Sequence, residues 1–350
     1  MNESLPRQFF PYGDLSYLLG YPESAGIIRK KVEDFCVDEE LSFEPSGSGE
    51  HLFLKLIKRQ LNTDDMVKKL SKEFNVPRVA IGYAGKKDKY AVTSQWFSVH
   101  LPKKDDQLQS HVDALSDQFV QIEQQTEHLK KLKKGCIKRN HFKIIVREIS
   151  HQTSVEDRLQ QIKLTGVPNY FGQQRFGNHN NNLLNADRLF GQKKSKFKRT
   201  QKSMILSAVR SYLFNLILSQ RIEDGSWNKA VIGDVMQHAS SHSIFQYQQF
   251  EQDVELRTNQ LDMHPTGGLY GAGNSLTRGG IHQLEESLYN AHADWCQGLE
   301  KNKLKHHRRS LRLRVENLSW EWLDEEVLQL NFSLVSGSYA TAFLRELVVL

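Results

Sequence analysis

Chemistry is concentrated in Gly82-Tyr83-Ala84-Gly85-Lys86-Lys87-Asp88-Lys89-Tyr90-Ala91-Val92-Thr93-Ser94-Gln95-Trp96-Phe97, where one carboxylate stands among three lysines on a glycine-hinged loop. Cations beside a carboxylate favour its charged form. An aspartate in that state serves as a nucleophile or a base, not as an acid. A lysine–aspartate run on its own is otherwise a solvated turn, so the reading depends on its surroundings.

Those surroundings read as strands at both ends of the chain with helices between. Leu52 to Ile57 predicts a strand after the turn Pro45-Ser46-Gly47-Ser48-Gly49. Asn62 offers an N-cap to a helix through Phe74, with Met66, Val67, Leu70 and Phe74 on one side. Val79 to Ala84 and Val92 to Val99 predict strands bracketing the Asp88 loop, and Phe142 to Ile149 predicts another, so a sheet-building region ends near Ser150. From about Gln152 to Arg309 the period becomes helical, as in Met204 to Leu218 and Leu284 to Leu299. Alternation returns at Leu311 to Val315 and Val327 to Phe332, and Tyr339 to Val348 predicts a short closing helix. One sheet domain interrupted by an insertion follows.

The chain has 350 residues, with 47 basic and 41 acidic side chains, and its positive charge falls in blocks. One block is Lys130, Lys131, Lys133, Lys134, Lys138 and Arg139; a second is Lys193, Lys194, Lys196, Lys198, Arg199 and Lys202. A third runs Lys301, Lys303, Lys305, Arg308, Arg309, Arg312 and Arg314. Separated basic blocks suit a phosphate-tracking surface, and equally a set of solvated faces. The first block is expected to form a hairpin turning at Gly135 and leading to Asn140.

Other classes are set aside. No apolar run approaches the roughly 18 residues that span a bilayer. Met1 to Gln8 lacks a basic-then-apolar signal pattern, so a cytoplasmic protein with no membrane association is expected. Cys36, Cys136 and Cys296 are odd in number and far apart, which argues against disulfides and thiolate zinc. A phosphate-binding loop would need glycine where Ala80 stands and a hydroxyl where Lys87 stands. Gly268, Gly271 and Gly273 reverse the dinucleotide fingerprint, and His238, His242, His306 and His307 form no zinc signature, so no metal site is expected.

Gly85-Lys86-Lys87-Asp88-Lys89 with Ala91-Val92-Thr93 and Gln95-Trp96 resembles the signature of the tRNA pseudouridine synthase D (TruD) family. Gly166-Val167-Pro168-Asn169-Tyr170-Phe171-Gly172-Gln173-Gln174-Arg175-Phe176-Gly177 resembles the segment that opens that family's inserted domain. Glu33-Asp34-Phe35, Asn140-His141-Phe142, Ser338-Tyr339-Ala340-Thr341 and Arg345-Glu346 match further pieces, in the right order along nearly the whole chain.

The resemblance implies an α+β protein. A pseudouridine synthase catalytic fold, a mixed and mostly antiparallel sheet with flanking helices, would be interrupted by an inserted TRUD-type α/β domain. The catalytic domain would comprise residues 1–165 and 310–350, and the inserted domain residues 166–309. The implied activity is isomerisation of a uridine in tRNA, in bacterial members uridine-13, to pseudouridine. That reaction requires no cofactor. Asp88 would be the catalytic carboxylate, attacking C1′ or assisting elimination at C2′, with Lys87 or Lys89 holding it ionised and Lys86 meeting phosphate.

Phe35, Asn140 and Tyr339 would line the pocket for an extruded uridine, with Phe142 as a stacking partner. The family usually carries phenylalanine where this chain has Tyr339, so a ring is kept and a hydroxyl added. Arg175 is expected to contact nucleic acid or to brace the domain junction. Pro265-Thr266-Gly267-Gly268-Leu269-Tyr270-Gly271 is expected to be a turn. The partner is tRNA, with no obligate protein partner and a monomeric state expected; the competing reading is a noncatalytic RNA-binding or RNA-chaperone protein.

Overall fold

A computed structural model describes residues 12–103, 106–191 and 197–350, so the reading of Met1 to Gln8 and the block members Lys193, Lys194 and Lys196 lie outside the described residues. Among the described residues, 23–155, 315–337 and 348–350 form one compact unit, and 12–22, 156–314 and 338–347 form another. These units are drawn on spatial contacts, whereas the division at 165 and 309 follows motifs.

The first unit is built on a sheet of nine strands among the described residues. They include β1 (Ile27–Ile28), β2 (Phe35–Leu41), β3 (His51–Arg59), β4 (Ile81–Tyr83), β5 (Val92–His100), β6 (Val120–His128) and β7 (Ile137–Arg147), followed by Glu316–Asp324 and Val327–Val335. The main path runs Glu316–Asp324, Val327–Val335, β7, β2, β5, β3, β6, with β1 on β7 and β4 on β5. Only β2 with β5 is parallel among these pairs. The sheet is therefore mixed and mostly antiparallel, as expected.

Helix α1 (Thr63–Glu73) covers part of one face. It starts where Asn62 accepts the Asp65 N–H at 2.8 Å, and Asp64 and Asp65 sit in the first turn, where the helix dipole favours negative charge. Met66, Val67, Leu70 and Phe74 pack with Leu52, Leu54, Leu56, Phe97 and Val99. Each such burial stabilises the fold by about 1.5–3 kcal/mol, enough to fix the helix on the sheet.

The expected hairpin at residues 130–139 is corrected. β6 pairs with β3 at one edge, while β7 lies between β2 and Val327–Val335, so residues 129–136 cross from one part of the sheet to another. The chain does turn at Gly135, whose φ is +89° and whose N–H donates to the Ala84 carbonyl at 3.0 Å.

The second unit packs around the helix Arg199–Glu223, which buries Ile205, Val209, Leu213, Phe214 and Ile217 among Phe171, Trp295 and Leu311. It also contains an antiparallel sheet, ordered Ile244–Gln246, Val235–His238, Met263–Leu269, His307–Ser310. The helical period between residues 152 and 309 gave no sign of that sheet, and residues 265–269 are strand, not turn. Glycine is needed there for close approach. A Cβ on Gly267 would meet Phe214 at 3.1 Å and Leu311 at 2.9 Å, and one on Gly268 would collide with the buried Tyr289 hydroxyl. The closing helix is shorter than expected, Ala340–Leu344.

Gly268→Ala is therefore expected to destabilise the protein by about 1–3 kcal/mol through overpacking, lowering the midpoint of thermal unfolding. An unchanged midpoint would show that Tyr289 can yield.

Candidate active site

The pleat sorts the side chains of the nine-stranded sheet into two faces. Register places Glu39 opposite Asn140, Val37 opposite Phe142, and Phe35 opposite Ile144, so these side chains share one face. Thr93 pairs with both Val37 and Lys58, and Gln95 pairs with Leu56, which extends the same face across β5 and β3.

The loop carrying Asp88 is tied to this face at several points. Gln95 Nε2 donates to the Gly85 carbonyl at 2.7 Å, the Lys87 N–H donates to Thr63 Oγ1 at 2.9 Å, and Thr63 Oγ1 donates to Gln95 Oε1 at 3.1 Å. Lys86 Nζ bonds Asp64 at 2.7 Å. Lys87 turns inward, forming an ion pair with Glu39 Oε2 at 2.9 Å and donating to Asn140 Oδ1. Glu39 is fully buried; burial raises its pKa against the opposing charge and hydrogen bond of Lys87.

Asp88 remains half-exposed and pairs with Arg29 Nη2 at 2.6 Å. The cation that meets the carboxylate is thus an arginine 59 positions upstream and not a lysine of its own loop, because Lys87 is occupied by Glu39. Lys89 is exposed. The Arg29 guanidinium also lies 4.0 Å from the centroid of Phe35, and Arg29 holds a left-handed backbone, φ +60°, uncommon for a residue with a side chain. Phe35 meets Phe142 edge-on at 6.2 Å, and Phe142 stacks on Phe332 at 5.0 Å. The turn before Phe35 is fixed by Asp34, which takes two bonds from Arg147 at 2.7 and 3.0 Å and one from the Lys31 N–H. Burial works against the charge of Asp34, but these bonds lower its pKa.

Lys58 is fully buried and donates to the Leu61 carbonyl at 2.6 Å. Burial, followed by the charge of Lys87, pushes its pKa down to about 8, with Asp88 and Glu39 opposing. Nothing in the sequence distinguished Arg29, Glu39 or Lys58; strand register brings Glu39 and Lys58 to the loop, and Arg29 follows directly on β1.

A cavity of about 410 Å³ is lined by Cys36, Asp38, Ser94, His141, Lys143 and Asn331, among others. These residues alternate with Val37 and Phe142 and so belong to the opposite face. Val37, Phe142 and Phe332, which belong to the face of the Asp88 site, also line the cavity.

Tyr339 and Arg175 lie in the second unit. Tyr339 meets Phe171 at 6.1 Å, and the Arg175 guanidinium lies 5.2 Å from Phe171 and 5.9 Å from Tyr339 while donating to Ser207 at 3.1 Å. The basic blocks also divide. Arg308 pairs with Glu285 in the interior at 2.8 Å, and Arg312 donates to the Thr258 and Met263 carbonyls. Burial pushes Arg309 down to about 10, over the ring of Phe171. The arginines of the third block, Arg314 apart, are therefore structural, while Lys301, Lys303 and Lys305 are exposed. In the first block Lys131 donates to the Val79 carbonyl, whereas Lys133 and Lys134 are exposed.

The family model described as tRNA pseudouridine synthase D (TruD) matches residues 12–189 and 181–347. The chain is 40% identical over 338 residues to the tRNA pseudouridine synthase D of Methylococcus capsulatus, covering 96% of this chain and 95% of that one. It is 41% identical over 334 residues to that of Aeromonas salmonicida, covering 95% and 94%. The chain belongs to the tRNA pseudouridine synthase D family. The fold agrees as well: a crystal structure of a Methanosarcina mazei protein named for the same family superposes with a TM-score of 0.70 at 21% identity, covering 97% of this chain and 96% of that one. As a member of the tRNA pseudouridine synthase D family, the protein is an isomerase that converts uridine in tRNA to pseudouridine. Among the described residues no helix is long and apolar enough to cross a membrane.

The depressed pKa of Lys58 has a sign that can be tested. Below about pH 8 both folded and unfolded chains carry its proton, and the buried ammonium costs stability. Between about 8 and the ordinary value of 10.5 the unfolded chain still binds the proton and the folded one has released it, so the cost fades as pH rises. Wild-type stability, compared with Lys58→Met by urea unfolding, is expected to gain on the variant from pH 8 to 10. A pH-independent difference would contradict this.

Proposed function

We propose that Asp88 is the catalytic carboxylate of this isomerase and that its target is uridine-13 of tRNA. The observation that carries the reading is a half-exposed carboxylate paired with Arg29, whose guanidinium lies over Phe35 of the Phe35–Phe142 pair, on a loop whose Lys87 bonds Asn140. The reaction breaks the bond from C1′ to N1, turns the uracil in place and joins C5 to C1′; the proton leaves C5 and N1 gains one. Atoms and oxidation state balance without a cofactor. Asp88 serves either by attack at C1′ or by assisting elimination at C2′. In both routes the ion pair with Arg29 aims the carboxylate at the sugar.

The ring of Phe142 offers a stacking surface for the extruded base, and Asn140 supplies polar contact to its edge. Phe35 supports both Arg29 and Phe142. Lys87 acts through Asn140 and Lys89 faces phosphate. Tyr339 supplies a ring braced by Arg175 through Phe171. The exposed lysines at 133, 134, 301, 303 and 305 bind the RNA backbone. We further propose a cytoplasmic monomer that needs no protein partner.

Asp88→Asn is expected to reduce pseudouridine formation on the order of a thousandfold or more while tRNA affinity is largely kept, read as release of C5 tritium from labelled transcript. Wild-type protein that binds tRNA and releases no tritium from any natural transcript would favour the noncatalytic RNA-binding reading. Replacing Lys133 and Lys134 by alanine should lower the slope of log affinity against log salt by up to roughly 2, since each phosphate contact contributes about 0.9. An unchanged slope places that crossing segment away from the RNA.

A further inference from the structure

We propose that the Glu39–Lys87 ion pair is a positioning device that locks the Asn140 amide with its Nδ2 presented to a carbonyl oxygen of the bound pyrimidine. This rests on the reading of the Asp88 face as the uridine site.

The orientation follows from which groups can donate. An ammonium carries donors and no acceptor, so the Asn140 atom that meets Lys87 Nζ is Oδ1. A flipped amide would set Nδ2 against the ammonium, donor against donor. Lys87 is itself held in place: Glu39 faces it at 2.9 Å with no solvent access, the Lys87 side chain is 6% exposed, and its backbone N–H is fixed by Thr63. Glu39 cannot turn aside readily, since Oε1 also accepts the Trp96 N–H at 3.4 Å. With Oδ1 turned to Lys87, the Nδ2 donors are the part of the Asn140 amide left to face the base.

Asn140 stands on β7 two positions from Phe142, on the same face, so a base resting on that ring presents its edge to the amide. The site then accepts a carbonyl and disfavours an exocyclic amino group, which would meet donor with donor. The two carbonyls of uracil satisfy this requirement. Had Asn140 been free to flip, it would read either edge and discriminate less.

The test is a double-mutant cycle on a transcript that the wild type modifies. Since Lys87→Gln alone leaves Glu39 buried without its cation, Glu39→Gln and Lys87→Gln are introduced together, removing both charges. Thermal melting establishes that each variant folds. The paired substitution should lower kcat/KM roughly 100-fold while leaving tRNA affinity within about threefold. In an Asn140→Ala background it should cost little more, because its effect runs through the amide. Replacing the target uridine by 2-thiouridine or 4-thiouridine, whose sulfur accepts poorly, should slow the wild type at one of the two positions and slow Asn140→Ala no further. Additive costs, or thio effects that persist in Asn140→Ala, overturn this inference alone. A wild type that forms no pseudouridine overturns the functional reading and this inference with it.

Discussion

A buried carboxylate must find a cation or give up its charge, and that constraint at Glu39 organises the site. Glu39 lies on the solvent-free part of the sheet face and draws Lys87 inward. Because Lys87 precedes Asp88 in the chain, its inward turn leaves the next side chain directed to solvent, where Arg29 meets it. Thr63 and Gln95 hold the backbone of the same loop to α1 and β5. The carboxylate proposed as catalytic is therefore aimed by groups that do not touch the substrate, anchored in the buried part of the sheet face. Removing one member of a buried pair costs about 3–5 kcal/mol, which makes the geometry stiff.

The second unit uses the same device for cohesion. Arg221 and Asp234 form a buried pair at 2.7 Å, and Arg308 with Glu285 forms another. Arg345 is enclosed by the rings of Tyr17, Tyr170 and Tyr12 at 3.8, 4.9 and 5.0 Å, with the Leu15 carbonyl accepting its bond. Many arginines of this basic chain thus serve the interior, and among the described residues lysines make up most of the exposed positive charge. The net charge of +6 overstates how much guanidinium is available to phosphate.

The sequence was legible where one physical signal dominated locally. Alternation located β3 and β5, and the Asn62 cap with its apolar stripe located α1 nearly to the residue. The lysine–aspartate loop was recognisable because its residue types and flanking motif are specific. Pairing between distant segments was not legible. Residues 130–139 suggested a hairpin because the turn at Gly135 is local, whereas the partners of β6 and β7 are set by the whole sheet. Pro265 to Gly271 resembled a turn because the glycines at 267 and 268 serve close packing in a strand, a demand made by Tyr289 and Phe214 from elsewhere in the chain. Arg29 escaped notice for the same reason: its partner is 59 positions away.

The most direct measurement is a crystal structure of the protein bound to tRNA carrying 5-fluorouridine at the target position. The account predicts the target nucleotide extruded onto the face bearing Phe142, with an Asp88 carboxylate oxygen about 3–3.5 Å from C1′ or from the hydrogen-bearing C2′. A nucleotide seated instead against Cys36 and His141 on the opposite face, away from Asp88, or an Asp88 turned away from the sugar, would contradict it.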